Sequence, residues 1–218
     1  DGFTETQLQS TKSFVDKELV AVDFSGLDLS GWDFTAQSMQ GADLRATLVG
    51  AQLVQADLTA ANLAAAELAN ANFAQSTLTG AILRRTTGRG FTAEQFYTSQ
   101  SYQDRDLTGV DLSENELRGW DFQSQDLRQA KLIAADLSSA NLRGVRLQDA
   151  DLRGAAMSRA DFAFADLRGS EHSDNLPKGV RNLILPDGNA TEVDVLTDET
   201  WTIFDHILPI QVSDTAQF

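Results

Sequence analysis

Residues 53–78 read LVQADLTAANLAAAELANANFAQSTL, with a large apolar residue at every fifth position: Leu53, Leu58, Leu63, Leu68, Phe73 and Leu78. Two residues before most of these centres stands an alanine (Ala51, Ala56, Ala61, Ala66, Ala71), often followed by Asp or Asn, as in Ala56-Asp57-Leu58. A period of five fits neither the 3.6-residue helix nor the two-residue strand. As a helix, the segment would rotate each leucine by roughly 140° and smear the centres over every face. A coil that turns a corner every five residues solves this. The centre and the residue two before it point inward, and the other three meet water. Four pentapeptides close a square, and successive squares stack at ~4.8 Å through backbone hydrogen bonds.

The same spacing extends in both directions. Upstream it runs through Leu19, Phe24, Leu29, Phe34, Met39 and Leu44, takes one four-residue step to Leu48, and continues to Leu83. A second run holds Leu107, Leu112, Leu117, Phe122, Leu127, Leu132, Leu137, Leu142, Leu147, Leu152, Met157, Phe162 and Leu167. Ala130, Ala135, Ala140, Ala150, Ala155, Ala160 and Ala165 keep the small position in that run. This pattern resembles the pentapeptide-repeat family, with its A-[DN]-L-x-x consensus. The resemblance covers roughly residues 19–84 and 105–168. It implies an all-β fold: a right-handed quadrilateral β-helix, here with two short capping helices and a short β-rich tail.

A coarser repeat lies over the fine one. GFTETQLQSTKSF (residues 2–14) aligns with GFTAEQFYTSQSY (residues 90–102), and Gly-Trp-Asp-Phe occurs at 31–34 and again at 119–122. The chain is a tandem duplication. Its expected organisation is module one at 1–88, module two at 89–170 and an acidic tail at 171–218. Each module opens with a helix-start signal. Thr4 with Gln7, and Thr92 with Gln95, fit a capping box, and Phe3 with Leu8, and Phe91 with Phe96, fit a hydrophobic staple. One short helix is expected near 5–11 and another near 93–99, covering the otherwise open first coil. Trp32 and Trp120, then Gln37 and Gln125, replace the alanine two before a centre. We read them as module-start residues that pack against the helix and satisfy groups no preceding coil reaches.

The pentapeptides lapse at Ser170-Glu171-His172. Leu183–Leu185, Glu192–Val195, Trp201–Phe204 and Ile210–Val212 then read as short strands, with Pro186-Asp187-Gly188-Asn189 as a turn. The stretch LTDETWTIFDHILPIQV (196–212) and the module start from Ser101 to Leu127 resemble bacterial secreted proteins bearing a C-terminal Pro-Glu-Pro sorting signal. That resemblance implies export, to the extracellular space or cell surface. With no initiator Met and an abrupt end at Phe218, the chain is expected to be part of a longer protein.

Composition narrows the function. The chain of 218 residues is 42% hydrophobic, enough for a sizeable core, and carries 32 acidic against 17 basic residues, for a formal charge of −15. That balance opposes binding to nucleic-acid phosphates or anionic membranes. The chain has no cysteine, which removes disulfides, thiolate catalysis and Cys-ligated zinc. No apolar run approaches the ~20 residues of a membrane span. His172 and His206 are isolated in unlike contexts. Thr87-Gly88-Arg89-Gly90-Phe91 lacks the third glycine of a phosphate cradle, having Ala93 in its place. Asp187-Gly188-Asn189 lacks the further carboxylates of a calcium loop, and Asn189-Ala190-Thr191 is a glycosylation acceptor only in a eukaryotic secretory setting. No catalytic, cofactor or metal residues are therefore assigned.

What remains is the surface. In module two one outward column reads Asp106, Asp126, Arg146, Asp166, and its neighbour reads Thr108, Arg128, Gln148, Arg168. The expected function is a non-enzymatic structural or protein-interaction module, with an unknown protein partner or self-association and no nucleic-acid partner. The alternative implied by the family resemblance is DNA mimicry acting on DNA gyrase, which would place the protein in the cytoplasm. Interleaved arginines speak against it.

Overall fold

The computed structural model describes residues 3–172 and 183–189. The expected strands at 192–195, 201–204 and 210–212, together with His206, lie outside the described residues. Every Leu, Phe and Met centre of both runs is buried, and the alanines two before them join the same continuous core.

Leu58 shows why the pentapeptide folds this way, because each of its five backbone N–H groups has a different destination. Ala56 N–H donates to Leu53 O (3.1 Å) and closes the corner, while Asp57 N–H reaches Gln37 O in the preceding coil (2.9 Å). Leu58 and Ala60 N–H groups donate to Thr77 O and Thr79 O of the following coil, each at 3.0 Å. The remaining N–H, of Thr59, donates to Asp57 Oδ1 at 3.0 Å. The consensus Asp or Asn thus satisfies the one N–H that no neighbouring coil can reach. Outside the four-residue step after Leu44, the corner residue two after each centre adopts positive φ, as in a type II turn. Glycine takes this position at Gly26, Gly31 and Gly41, but Ala36, Gln55, Ala60 and Ala65 adopt it too.

The bridges are parallel and form four columns. One runs Asp23, Asp43, Asn62, Ile82, Asp111, Lys131 and Asp151. It continues in the paired two-residue strands β1 (Asp151–Leu152) and β2 (Glu171–His172). Elsewhere the contacts are single bridges rather than strands, because so little extended chain separates one corner from the next. The four-residue step at Leu44–Leu48 shortens the pairing offset to nineteen residues, as in Asp28 with Thr47, and the coils still close. The ladder runs past residue 170. Glu171 pairs with Asp151, and Ile184 pairs with Asp166 beside a turn at Pro186–Asn189.

The helices depart from expectation. Each module start carries two: α1 (Glu5–Gln9) and α2 (Lys12–Val15), then α3 (Ala93–Tyr97) and α4 (Gln100–Gln103). Both capping boxes form as read, Thr4 with Gln7 and Thr92 with Gln95. A second N-cap follows each, where Thr11 Oγ1 accepts from Phe14 N–H and Ser99 Oγ accepts from Tyr102 N–H. These caps restart the chain as a new helix instead of extending the first. Nor does the second pair cap an end. Ile82 bridges directly to Asp111, so the parallel ladder continues from module one into module two, with the short 3₁₀ turn Thr87–Arg89, α3 and α4 inserted between coils.

Candidate interaction surface

Two kinds of surface follow from this architecture: the outward columns of the coils, and the places where helices meet coils. The column read from the sequence is real. Asp106, Asp126, Arg146 and Asp166 are bridged in succession. The neighbouring column neutralises it at short range. Arg128 pairs with Asp126 at 2.7 Å, Arg168 with Asp166 at 2.6 Å, and Gln148 Nε2 donates to Asp166 Oδ2 at 2.7 Å. Arg146 lies 3.6 Å from Asp126. Asp–Arg pairs of the same i, i+2 form recur at Asp43–Arg45 and Asp151–Arg153, both 2.5 Å. Exposed pairs contribute little stability each, but together they fix the direction of the charged groups on the face.

Asp23, Asp28, Asp33, Asp43, Asp136 and Asp151 are held ionised by neighbours two residues along the chain. Asp23, Asp28 and Asp33 lie below the usual carboxylate range because Ser25, Ser30 and Thr35 respectively donate to them. Asp43 and Asp151 are lowered chiefly by Arg45 and Arg153, and Asp136 chiefly by Ser138.

At the joint between the modules, α3 and α4 fill the space over the coil below. Trp120 is 8% exposed, with its ring centroid 5.6 Å from Phe96 and 6.2 Å from Phe91 and Tyr97. The module-start reading of this tryptophan holds. Trp32 lies in the matching place, half-buried and 5.9 Å from Phe3. The glutamine reading holds as well: Gln37 Nε2 donates to Phe14 O (3.1 Å) and Gln125 Nε2 to Tyr102 O (3.0 Å), where no coil precedes. Tyr97 Oη accepts from Asp121 N–H at 2.6 Å and Tyr102 Oη donates to Asp121 O at 2.9 Å, so two phenols replace the backbone of a missing coil. Burial, and secondarily the Asp121 charge, pushes the Tyr102 phenol up to about 12. A polar notch of about 310 Å³ opens here between Tyr102, Arg105, Asp121, Gln123 and Gln125.

Asn115 was not singled out from the sequence. Buried two residues before Leu117, it accepts from Thr86 N–H (2.8 Å) and Thr87 N–H (2.9 Å) and donates to Leu83 O (2.8 Å) and Leu112 O (3.1 Å). It stitches the linker to both modules. The available signal was a polar residue at a small-residue position, aligned in the duplicated sequence with Leu27 of module one. His172 lies in β2, and among the described residues no group of three or more His, Cys, Asp or Glu is placed to hold a metal ion. No helix among them is long and apolar enough to cross a membrane.

None of the curated proteins matches the chain. Solved structures do. HetL, a pentapeptide repeat protein involved in heterocyst differentiation regulation in the cyanobacterium Nostoc sp. strain PCC 7120, is 28% identical over 79% of this chain and 73% of its own, with a TM-score of 0.36. QnrB1, a plasmid-mediated fluoroquinolone resistance protein, is 18% identical over 77% of this chain and 84% of its own, with a TM-score of 0.52. The latter likeness shows a shared fold. The family model for pentapeptide repeats matches residues 46–85, 106–144 and 135–171, in 8 copies. With the five-residue core and the parallel bridge columns, these matches establish that the chain belongs to the pentapeptide-repeat family.

Proposed function

We propose that this protein is a non-enzymatic interaction module whose right-handed, four-sided β-helix presents ordered faces to a protein partner. The observation carrying this reading is the Asp126–Arg128–Arg146–Asp166–Arg168 face, where charged groups of both signs are fixed by short contacts on a rigid ladder. Such a face offers directional complementarity, which sets specificity and association rate more than raw affinity. The resemblance of the module start and tail to exported bacterial proteins supports a location outside the cytoplasm, at the cell surface or beyond. A photo-crosslinking residue at position 148 should give one discrete protein adduct in extracts of the source organism. Arg128→Glu with Arg168→Glu should abolish that adduct. Failure to form any adduct at this face would remove the reading.

A second reading, DNA mimicry directed at gyrase, is favoured by the fold shared with QnrB1. DNA presents one negative charge per ~1.7 Å of axis. The face described here places Arg128, Arg146 and Arg168 among its carboxylates and cannot match that density. Micromolar protein should therefore leave gyrase supercoiling unchanged. Salt-sensitive inhibition would promote the second reading over the first.

A further inference from the structure

The joint shows what covers a helix pair of this kind. The last coil of module one lies over α3 and α4 and engages them at several points. Leu68 O and Ala71 O both accept from Gln95 Nε2, at 2.8 and 2.7 Å. Gln75 N–H donates to Thr98 O, and Gln100 N–H to Ser76 O, each at 2.8 Å. Leu78 N–H donates to Ser101 Oγ at 2.9 Å, and the Phe73 ring meets Phe91 at 5.4 Å. The chain enters the joint through Gly90, at φ +89, so close to Ala69 that a Cβ would lie 2.6 Å from its Cα.

The N-terminal pair repeats these features without a cover. Gln7, Ser10, Lys12, Ser13 and Phe3 stand where Gln95, Thr98, Gln100, Ser101 and Phe91 stand in module two, and Gly2 occupies the place of Gly90 in the sequence. Phe3 is 49% exposed, whereas Phe91 is 2% exposed. Ser13 is exposed and Ser101 buried. Neither Ser10 O nor the Lys12 backbone N–H has a hydrogen-bond partner among the described residues. Val15 and Val20 add exposed apolar surface nearby.

We propose that the face formed by Phe3, α1 and α2 is the docking site for the last coil of a further pentapeptide module, joined ahead of residue 2 as module one is joined ahead of Gly90. Gln7 and Phe3 serve the capping box and the contact with Trp32, but the Ser10 carbonyl, the Lys12 amide and the Ser13 hydroxyl stand exposed beside them in the register a coil requires. A second copy of this chain is the poorer occupant. The last coil among the described residues is already engaged, with Phe162 buried, Leu167 N–H donating to Ile184 O at 2.9 Å and Gly169 N–H donating to Pro186 O at 3.0 Å.

The test is an extended chain in which residues 1–88 are duplicated ahead of residue 1, leaving the rest intact. Hydrogen exchange at the Lys12 amide of the inner copy should slow at least tenfold relative to the unextended protein. Phe3→Asp at that inner position should lower the melting temperature by several degrees. In the unextended protein the same substitution should shift it by a degree or less, so a folding defect of the variant itself would be seen there. Unchanged Lys12 exchange in the extended chain, or equal Phe3→Asp effects in both chains, would overturn the proposal. Sedimentation of the unextended protein should show a monomer. A dimer lost on Phe3→Asp would assign the face to self-association instead.

Discussion

The starts of the two modules share a sequence pattern and a backbone, yet they live in different surroundings. Both have a helix pair with a capping box, a tryptophan stacked on the phenylalanine two residues further on and a glutamine amide bonded to the helix end. Module two sets its pair within the ladder of coils, under a coil that buries Phe91 and Trp120; module one leaves Phe3 open. Even the bond to the coil below differs. Asp121 N–H donates to a phenol, Tyr97 Oη, whereas Asp33 N–H donates to the Glu5 carboxylate at 2.9 Å. The comparison separates what local sequence encodes from what tertiary cover adds. Helix geometry is the same with and without a coil overhead. Burial is not.

The largest expected effect comes from below the joint. Leu137 is fully buried, and Leu137→Asp places a charge in the column of centres on which module two rests. Module two should unfold, seen as loss of the cooperative melt; an unchanged melt would break the β-helical assignment. Next, Trp120→Ala should destabilise by about 3–5 kcal/mol, the range for emptying a large buried aromatic site. Trp32→Ala should cost about half that or less, since its indole keeps solvent contact. Equal losses in denaturant titrations would erase the contrast drawn here.

Asn115→Ala should cost about 2–3 kcal/mol, because it removes the acceptor of the Thr86 and Thr87 N–H groups and the donor to the Leu112 carbonyl at the start of the linker. Leu27→Ala, at the matching position of module one, breaks no such network and should leave proteolysis of the linker unchanged. Thr92→Ala and Thr4→Ala should each cost about 1 kcal/mol, since both remove the same capping box. Here the two modules should agree, and a cap effect confined to module two would show that helix formation depends on the cover.

The smallest effect per group is that of acid, since the carboxylates concerned are largely solvent-screened. Aspartates with lowered folded-state pKa values stabilise the protein above their unfolded value of 3.8 and lose that contribution as pH falls through the lowered values. The melting temperature should be level from pH 7 to about 5 and decline below about 4. Asp23, Asp28, Asp33, Asp43 and Asp57 concentrate these shifts in module one, so its amides should lose hydrogen-exchange protection first.

Much of the molecule was legible in its residues. Five-residue spacing named the core from Leu19 to Leu167, and every named centre is buried. The capping boxes were readable because each spans three residues, and the anomalous Trp and Gln positions and the Asp106–Asp166 column because each sits at a fixed phase of the five-residue repeat, which stacks every twentieth residue. The second helix of each pair was missed because the caps Thr11 and Ser99 follow the first helix too closely to stand out as a new start.

Other features were set only when distant segments met. Ile82 pairs with Asp111, so that α3 and α4 lie within the stack instead of ending it, and nothing in the local pattern at either residue specifies that partner. Alanine, glutamine, serine and even phenylalanine adopt left-handed corners, at Ala60, Gln75, Ser139 and Phe164, because coils on the ladder hold the turn against the side chain's preference. The sequence determined which side chains face inward, since periodicity acts along a few residues of chain. The tertiary structure decided how deeply each module start is covered, because cover comes from a coil the local residues do not contain.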